Sequence, residues 1–337
     1  MPTTESTTPA DPTGTAAPTE TAAPAETAPP TETAAPAATA APAKPEKLPV
    51  PVSAGITLMV RVLAQPDPMA PVVMLLPAMA LKAKYYLPMA QALFMAGLSV
   101  ATFDQRGYGE SKPALRDQPN FGYRELIEVD LPAAVGTVRA RFPGAPLYLF
   151  GHSLGGQLAL FHAAAAPGEI AGVVTIGTGT PYWKAFGRRN WFEAFWKIQT
   201  IGLVSRVRGY WPGGMLIGGA MAGQVMVDWA RQSRTSWCRP KGSSRRHDDA
   251  LRALDRPVLA ISLDEDRLGP SSNVDFLCSR MPAARLTRWH VVESSGVAHR
   301  DHFAWIKDSA VIGRAAASWI TSGQLPAGQA AEERNAR

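Results

Sequence analysis

The sequence predicts an α/β protein whose mainly parallel sheet is covered by helices on both faces. Short apolar runs bounded by turn residues alternate with longer stretches of helical periodicity, the pattern of parallel strands joined by helical crossovers. The run "PVVMLL" is apolar without a break, as expected of a strand buried on both faces, and "LSVATF" is also interpreted as a buried strand. The predicted strands are 56–64, 71–78, 98–104, 146–150, 171–177, 256–263 and 286–292, and the predicted helices are 85–97, 123–142, 153–165, 271–281 and 302–320.

The composition divides the 337 residues into four parts. Residues 1–47 are nearly all Thr, Pro, Ala and Glu and include no aromatic residue. Such a segment cannot bury enough apolar surface to fold, so we expect a disordered tail. The remainder is predicted to form a core at 48–180 and 248–322, an insertion at 181–247 and a flexible C-terminus at 323–337.

Cellular location is predicted from signals that the sequence lacks. The tail has no apolar segment typical of a secretory signal. No uninterrupted apolar stretch is as long as a membrane-spanning helix, which needs about 18 residues. The two cysteines, Cys238 and Cys278, are too few and too far apart for a disulfide scaffold or a metal knuckle. We therefore expect a cytoplasmic protein without a transmembrane segment.

One motif indicates nucleophilic catalysis. In "LFGHSLGGQLAL" an apolar strand breaks at Gly151-His152-Ser153-Leu154-Gly155 and resumes as a helix, which is the G-x-S-x-G pattern in its required context. The turn is so tight that its flanking residues must be small, and it presents the Ser153 hydroxyl above the sheet. The Leu154 N–H lies at a helix N-terminus, where it can donate to an oxyanion. We therefore predict Ser153 as nucleophile and Leu154 as one oxyanion-hole donor.

The nucleophile needs an acid and a base, which should follow it in the order Ser…Asp…His. "VLAISLDEDRLGP" places Asp264 and Asp266 after a strand, and we prefer Asp266 because it lies further past the strand end. "SSGVAHRDHF" offers His299 and His302. We prefer His299 as the base because it lies in the loop, whereas His302 is predicted to begin the final helix. By position, the Met79 N–H after strand 71–78 is the best candidate for the second oxyanion donor.

The order of these parts resembles the α/β-hydrolase fold. The resemblance is carried by "GHSLGG", "FDQRGYGESKP", "SLDEDRLGP" and "VAHRDHF" and covers about residues 48–320. More narrowly, "LPAMALKAKYYLPMAQAL" and "GTGTPYW" resemble a bacterial family of uncharacterised α/β-hydrolases with a serine-aminopeptidase-like domain. The resemblance implies an eight-stranded, mostly parallel sheet with a helical cap after the sixth strand, and the triad Ser153, Asp266 and His299. The chain departs from the common pattern at Pro77-Ala78, where many relatives have His-Gly, and at Ala298, where Gly is common.

The insertion, residues 181–247, is called the cap below and has an unusual composition. It holds twelve Lys and Arg against two acids, and six of the nine Trp. These aromatic residues can seat the cap on the core, or they can close an apolar acyl pocket to which the basic residues attract an anionic substrate or surface. Nucleic-acid binding is not expected, because no nucleic-acid fold accompanies the basic and aromatic residues.

Two classes of function follow from the sequence. The first is a serine hydrolase of esterase or lipase type, which cleaves an acyl ester or thioester of a small-molecule substrate and needs no metal or organic cofactor. A serine peptidase or amidase would use the same residues. The second is a catalytically silent binding protein whose cap occludes Ser153. The sequence does not indicate the oligomeric state.

Overall fold

The structure, a computed structural model, describes residues 44–53, 55–214, 217–327 and 329. The chain separates into a unit at Met1–Pro42 and a unit at Ala43–Arg337. The predicted disordered tail lies outside the described residues up to position 43, as does most of the predicted flexible C-terminus. The second unit contains every element considered below.

The strands form one large sheet and one small ladder. In chain order they are β1 (Glu46–Ser53), β2 (Ile56–Leu63), β3 (Val72–Leu76), β4 (Ser99–Asp104), β5 (Leu147–His152), β6 (Gly172–Ile176), β7 (Tyr210–Trp211), β8 (Met221–Ala222), β9 (Pro257–Leu263) and β10 (Arg285–Val291). The eight-stranded sheet has the order β1-β2-β4-β3-β5-β6-β9-β10, and β7 pairs with β8. The pairs β1/β2 and β2/β4 are antiparallel and all others in the large sheet are parallel. The predicted eight-stranded, mostly parallel sheet is confirmed.

The eighth strand is β1, which the residue pattern did not predict. Its sequence, "EKLPVPVS", has two prolines and a mostly exposed burial pattern. Proline cannot donate to a sheet ladder, so such a strand is confined to an edge. The folded unit therefore begins within the predicted tail, two residues before position 48.

Helices cover both faces of the large sheet. They are α1 (Leu87–Met95), α2 (Tyr123–Glu125), α3 (Leu131–Arg141), α4 (Leu154–Ala165), α5 (Gly187–Arg208), α6 (Gly223–Thr235), α7 (His247–Arg252), α8 (Ser271–Cys278) and α9 (Ser309–Ser322). One core cluster joins α1 and α9 to the sheet, and a second joins α3, α4, α7 and α8 to the opposite face. Burial of these two apolar layers is the main stabilising contribution.

The predicted helix at 123–142 contains a local irregularity. Leu126–Asp130 forms a π-helical stretch between α2 and α3, immediately before Pro132. Proline lacks the N–H that continues the α-helical ladder, and a π-turn is one way to accommodate the missing bond.

Between β6 and β9 the chain forms α5, the β7/β8 ladder, α6 and α7. Helix α5 packs closely on α6 at Gly202, where a Cβ would lie only 2.5 Å from the Cβ of Ala230. The contact sets which face of α5 points inward, where Ile198 and Ile201 are buried. Among the described residues, no helix is both long and apolar enough to cross a membrane.

Candidate active site

Ser153 occupies a strained turn between β5 and α4. Its φ of 52° and ψ of −116° lie in a region that residues with a side chain rarely adopt. A Cβ on Gly155 would lie 2.1 Å from the Leu76 carbonyl oxygen, and one on Gly151 would lie 2.3 Å from the Gly156 Cα. The glycines are therefore required by close backbone approach, which is the geometry expected of a nucleophile elbow.

The loop after β9 brings Asp266 to a histidine. Asp266 Oδ2 lies 2.7 Å from His302 Nδ1, and both side chains are buried. The other carboxylate oxygen accepts the N–H groups of Leu268 and Gly269 at 2.9 and 2.7 Å. These bonds orient the carboxylate so that it can accept a hydrogen bond from Nδ1–H of the imidazole. Nε2 is then free to accept a proton.

The preference for His299 as the partner of Asp266 is corrected by this geometry. His299 Nδ1 lies 3.0 Å from Asp308 Oδ2, and the His299 backbone N–H donates to the same oxygen at 2.7 Å. The His299 side chain is 43% exposed, whereas that of His302 is 8% exposed. The alternative acid, Asp264, bonds Arg300 Nε at 2.8 Å.

The physical reason for the difference lies where the final helical segment begins. The helical turn begins at Ala304, so His302 is still a loop residue. Asp301 Oδ1 accepts the N–H groups of Phe303 and Ala304 at 2.9 and 2.8 Å and so forms a turn just before the helical segment. Asp side chains favour such turns because they accept backbone N–H groups two residues further on, and "RDHFAW" therefore contains a signal of a turn at this point.

The loop after β3 lies beside the elbow. Its Ala78 N–H donates to the Tyr86 hydroxyl at 2.9 Å, and its Ala80 N–H donates to Met221 Sδ at 3.1 Å. The Met79 N–H lies between these two anchored groups. The Leu154 N–H is the first of α4, a position at which a backbone N–H has no acceptor within the helix. The arrangement is compatible with the two donors predicted from sequence.

A second buried pair lies beneath the elbow. The Tyr86 hydroxyl is hydrogen-bonded to His152 Nδ1 at 2.8 Å, and the centroid of the His152 ring lies 4.8 Å from that of the His302 ring. Burial lowers the pKa of His152 well below its usual range, with the nearby His302 as a smaller cause. His152 is therefore a neutral ring packed against the histidine that binds Asp266. Sequence reasoning assigned no role to His152 or Tyr86.

Ser153 and His302 line one cavity of about 940 Å³ beneath the cap. Lining residues from the core include Met79, Leu154, Gln157 and Leu268. The cap contributes the rest of the wall: Pro181, Phe186, Asn190, Glu193, Ala194, Lys197, Ile198, Ile217, Gly218, Gly219 and Trp229. The side chains that line the cavity are mostly apolar, as is usual for small-molecule sites. Glu193 is bonded to Lys197, and this bond holds the pKa of Glu193 below its usual range.

Solved structures share the architecture of this chain. The DcsB complex with its substrate analogue superposes with a TM-score of 0.57 at 16% identity, over 82% of this chain and 99% of that one. Est1E from Butyrivibrio proteoclasticus, bound to ferulic acid, superposes with a TM-score of 0.53 at 14% identity, over 79% of this chain and 96% of that one. These likenesses show that the chain has the α/β-hydrolase fold.

Comparison of sequences also matches parts of this chain to known proteins. Residues 67–211 match the family model described as serine aminopeptidase, S33. Human monoglyceride lipase is 33% identical over 91 residues, which are 27% of this chain and 29% of that protein. The mouse serine hydrolase BPHL is 28% identical over 215 residues, 64% of this chain and 69% of that protein. The chain thus spans less than a third of the human lipase it matches.

Proposed function

We propose that this protein is a serine hydrolase that cleaves an acyl ester or thioester, with Ser153 as nucleophile, His302 as base and Asp266 as acid. The observation that carries the proposal is the buried Asp266–His302 pair beside the same cavity as the strained Ser153. His302 replaces His299 in the triad expected from sequence.

In the proposed reaction, Ser153 Oγ attacks the acyl carbonyl while His302 Nε2 takes the hydroxyl proton. The Met79 and Leu154 N–H groups donate to the oxyanion of the tetrahedral intermediate. His302 then gives its proton to the departing alcohol or thiol, which leaves an acyl ester on Ser153. Water, deprotonated by His302, attacks this ester, and the acid leaves as Ser153 regains its proton. Asp266 holds the imidazole orientation and stabilises its charged form throughout.

The cavity and the relatives support an acyl substrate. The cap side of the cavity offers the apolar side chains of Phe186, Ile198, Ile217 and Trp229. Human monoglyceride lipase and the monoacylglycerol lipase of Mycolicibacterium smegmatis are among the matched relatives, at 33% and 35% identity over 91 and 95 residues. An ester with an aliphatic chain fits both observations.

One observation favours an ester over a peptide with a free amino terminus. An aminopeptidase must recognise the substrate's ammonium group, for which a carboxylate is the natural partner. Among the described residues that line the cavity, Glu193 supplies the carboxylate, and it already pairs with Lys197. An ammonium substrate would have to displace that lysine.

The test combines active-site labelling with a substrate panel. A fluorophosphonate should label the wild-type chain and not Ser153→Ala, and aryl esters and acyl thioesters of increasing chain length should be hydrolysed at rates that depend on length. Aminoacyl anilides should react poorly. Equal labelling of Ser153→Ala, or no labelling of the wild type, would favour the silent binding protein. Faster cleavage of the anilides would favour a peptidase.

A further inference from the structure

The outward face of α5 carries a row of exposed apolar side chains. Phe192, Trp196, Leu203 and Val207, here called the outer stripe, are 59%, 55%, 63% and 78% exposed. Their spacing of four, seven and four residues places them within about 60° around the helix and along about 22 Å of its length. Isolated surface apolar residues are ordinary, but an aligned set of large ones marks an interaction surface.

The opposite face of the same helix belongs to the core and the cavity. Ile198 and Ile201 are buried, and Glu193, Ala194 and Lys197 line the cavity. The close contact of Gly202 with Ala230 fixes this orientation. The outer stripe therefore cannot turn inward without breaking the packing of α5 on α6, and it has no function in the proposed hydrolysis.

Exposed cations flank the outer stripe. Lys184 lies just before α5, Arg206 and Arg208 lie in its last turn, and Arg234 reaches Gln199 midway along it. The two acids of the cap are already engaged, since Glu193 pairs with Lys197 and the buried Asp228 with Arg231. Within the described residues, these four cations thus have no carboxylate partner.

We propose that the outer stripe docks this protein on an anionic phospholipid bilayer, with α5 lying in the plane of the interface. A helix with aromatic and aliphatic side chains on one side and cations at its borders is the usual element of interfacial binding. Anionic headgroups attract the arginines, and the apolar side chains enter the boundary of the acyl chains. A second copy of the chain is a poorer occupant, because two such surfaces would bring their unpaired cations together.

Vesicle flotation of the full chain tests the proposal without any substrate. The wild type should float with vesicles of phosphatidylcholine and phosphatidylglycerol, less with phosphatidylcholine alone, and less as salt is raised. Phe192→Ser with Trp196→Ser should lower the partition coefficient by about tenfold or more, as should Leu203→Ser with Val207→Ser. Arg206→Gln with Arg234→Gln should reduce binding to the anionic vesicles only.

A matched control is available on another helix. Leu87 and Met95 of α1 are 51% and 59% exposed, and Leu87→Ser with Met95→Ser should leave flotation unchanged. Circular dichroism and thermal unfolding report whether each variant folds, independently of hydrolysis. The proposal is overturned if the wild type does not float, if the outer-stripe variants float equally well, or if light scattering shows a dimer that these variants dissociate.

Discussion

The Tyr86 hydroxyl joins two parts of the candidate site: it accepts a hydrogen bond from the Ala78 N–H at 2.9 Å, and it is hydrogen-bonded at 2.8 Å to His152 Nδ1, which lies 66 residues further along the chain. One bond holds the loop that carries Met79, and the other orients the ring that packs on His302. Tyr86 is thus a positioning residue that acts on both the proposed oxyanion hole and the proposed base.

Removing this hydroxyl should slow catalysis without weakening substrate binding. Tyr86→Phe keeps the ring but loses both hydrogen bonds, and we expect kcat to fall by about tenfold while KM stays near the wild-type value. Steady-state kinetics on a soluble ester would measure the split. Tyr148→Phe is the control, because its hydroxyl bonds the distant Ile320 carbonyl oxygen at 3.2 Å. Equal effects of the two substitutions would contradict a positioning role for Tyr86.

The two histidines of the C-terminal loop should differ sharply in their effect on activity. Loss of the base removes proton transfer, so His302→Ala should lower kcat by about a thousandfold or more. His299→Ala removes a half-exposed contact with Asp308 and should lower kcat by less than about threefold. Ester hydrolysis and fluorophosphonate labelling rates would both report the difference. A reversed order would restore His299 as the base.

Two glycine substitutions should change stability in opposite directions. Gly155→Ala would place a Cβ 2.1 Å from the Leu76 carbonyl oxygen, so the elbow must distort. We expect a loss of about 3 kcal/mol in the free energy of unfolding, comparable to other strained backbone substitutions. Gly136 lies within α3 with open space around its Cβ position, and Gly136→Ala should raise stability by about 1 kcal/mol. Chemical denaturation of both variants measures the contrast, and a tolerated Gly155→Ala would refute the close approach.

The free energy of unfolding should depend on pH through His152. Burial lowers its pKa in the folded state, whereas the unfolded chain retains a value of about 6.5. Above that pH neither state binds the proton, and below it only the unfolded state does. The free energy of unfolding should therefore fall as pH drops below about 6.5.

His152→Asn removes that group, and its stability should change less between pH 7 and pH 5 than that of the wild type, whatever its absolute stability. Comparison at the same pH cancels the contributions of other titrating groups. His290→Asn, at a half-buried position, is the control. Equal slopes for wild type and His152→Asn would mean that His152 does not titrate in the unfolded chain alone.

Periodicity predicted the central fold well because parallel strands are buried on both faces. Strands such as β3 and β6 are buried throughout and almost entirely apolar, so burial is visible in each run by itself. Strand β1 was missed since an edge strand needs no apolar run and tolerates proline. Its assignment depends on the pairing with β2, which no local pattern contains.

In the candidate site, too, local features were predictable from the sequence and contacts between distant segments were not. The Gly151-x-Ser153-x-Gly155 spacing is dictated by a local turn, and the glycine requirement is visible in the sequence because it arises from neighbouring backbone. Pairing a carboxylate with a histidine is not local. His299 and His302 are three residues apart, and the choice between them depends on which one the loop directs toward Asp266 and which toward Asp308.

Residue type and short spacing were enough to predict the α/β class, the G-x-S-x-G turn at Ser153 and the basic, aromatic character of the cap, because each of these depends on residues close together in the chain. Three features are visible only in the folded protein: His302 lies against Asp266, Tyr86 joins the loop of Met79 to His152, and α5 directs four apolar side chains outward. Each of these results from contacts between segments distant in the chain, whose geometry is set by the packing of the whole core.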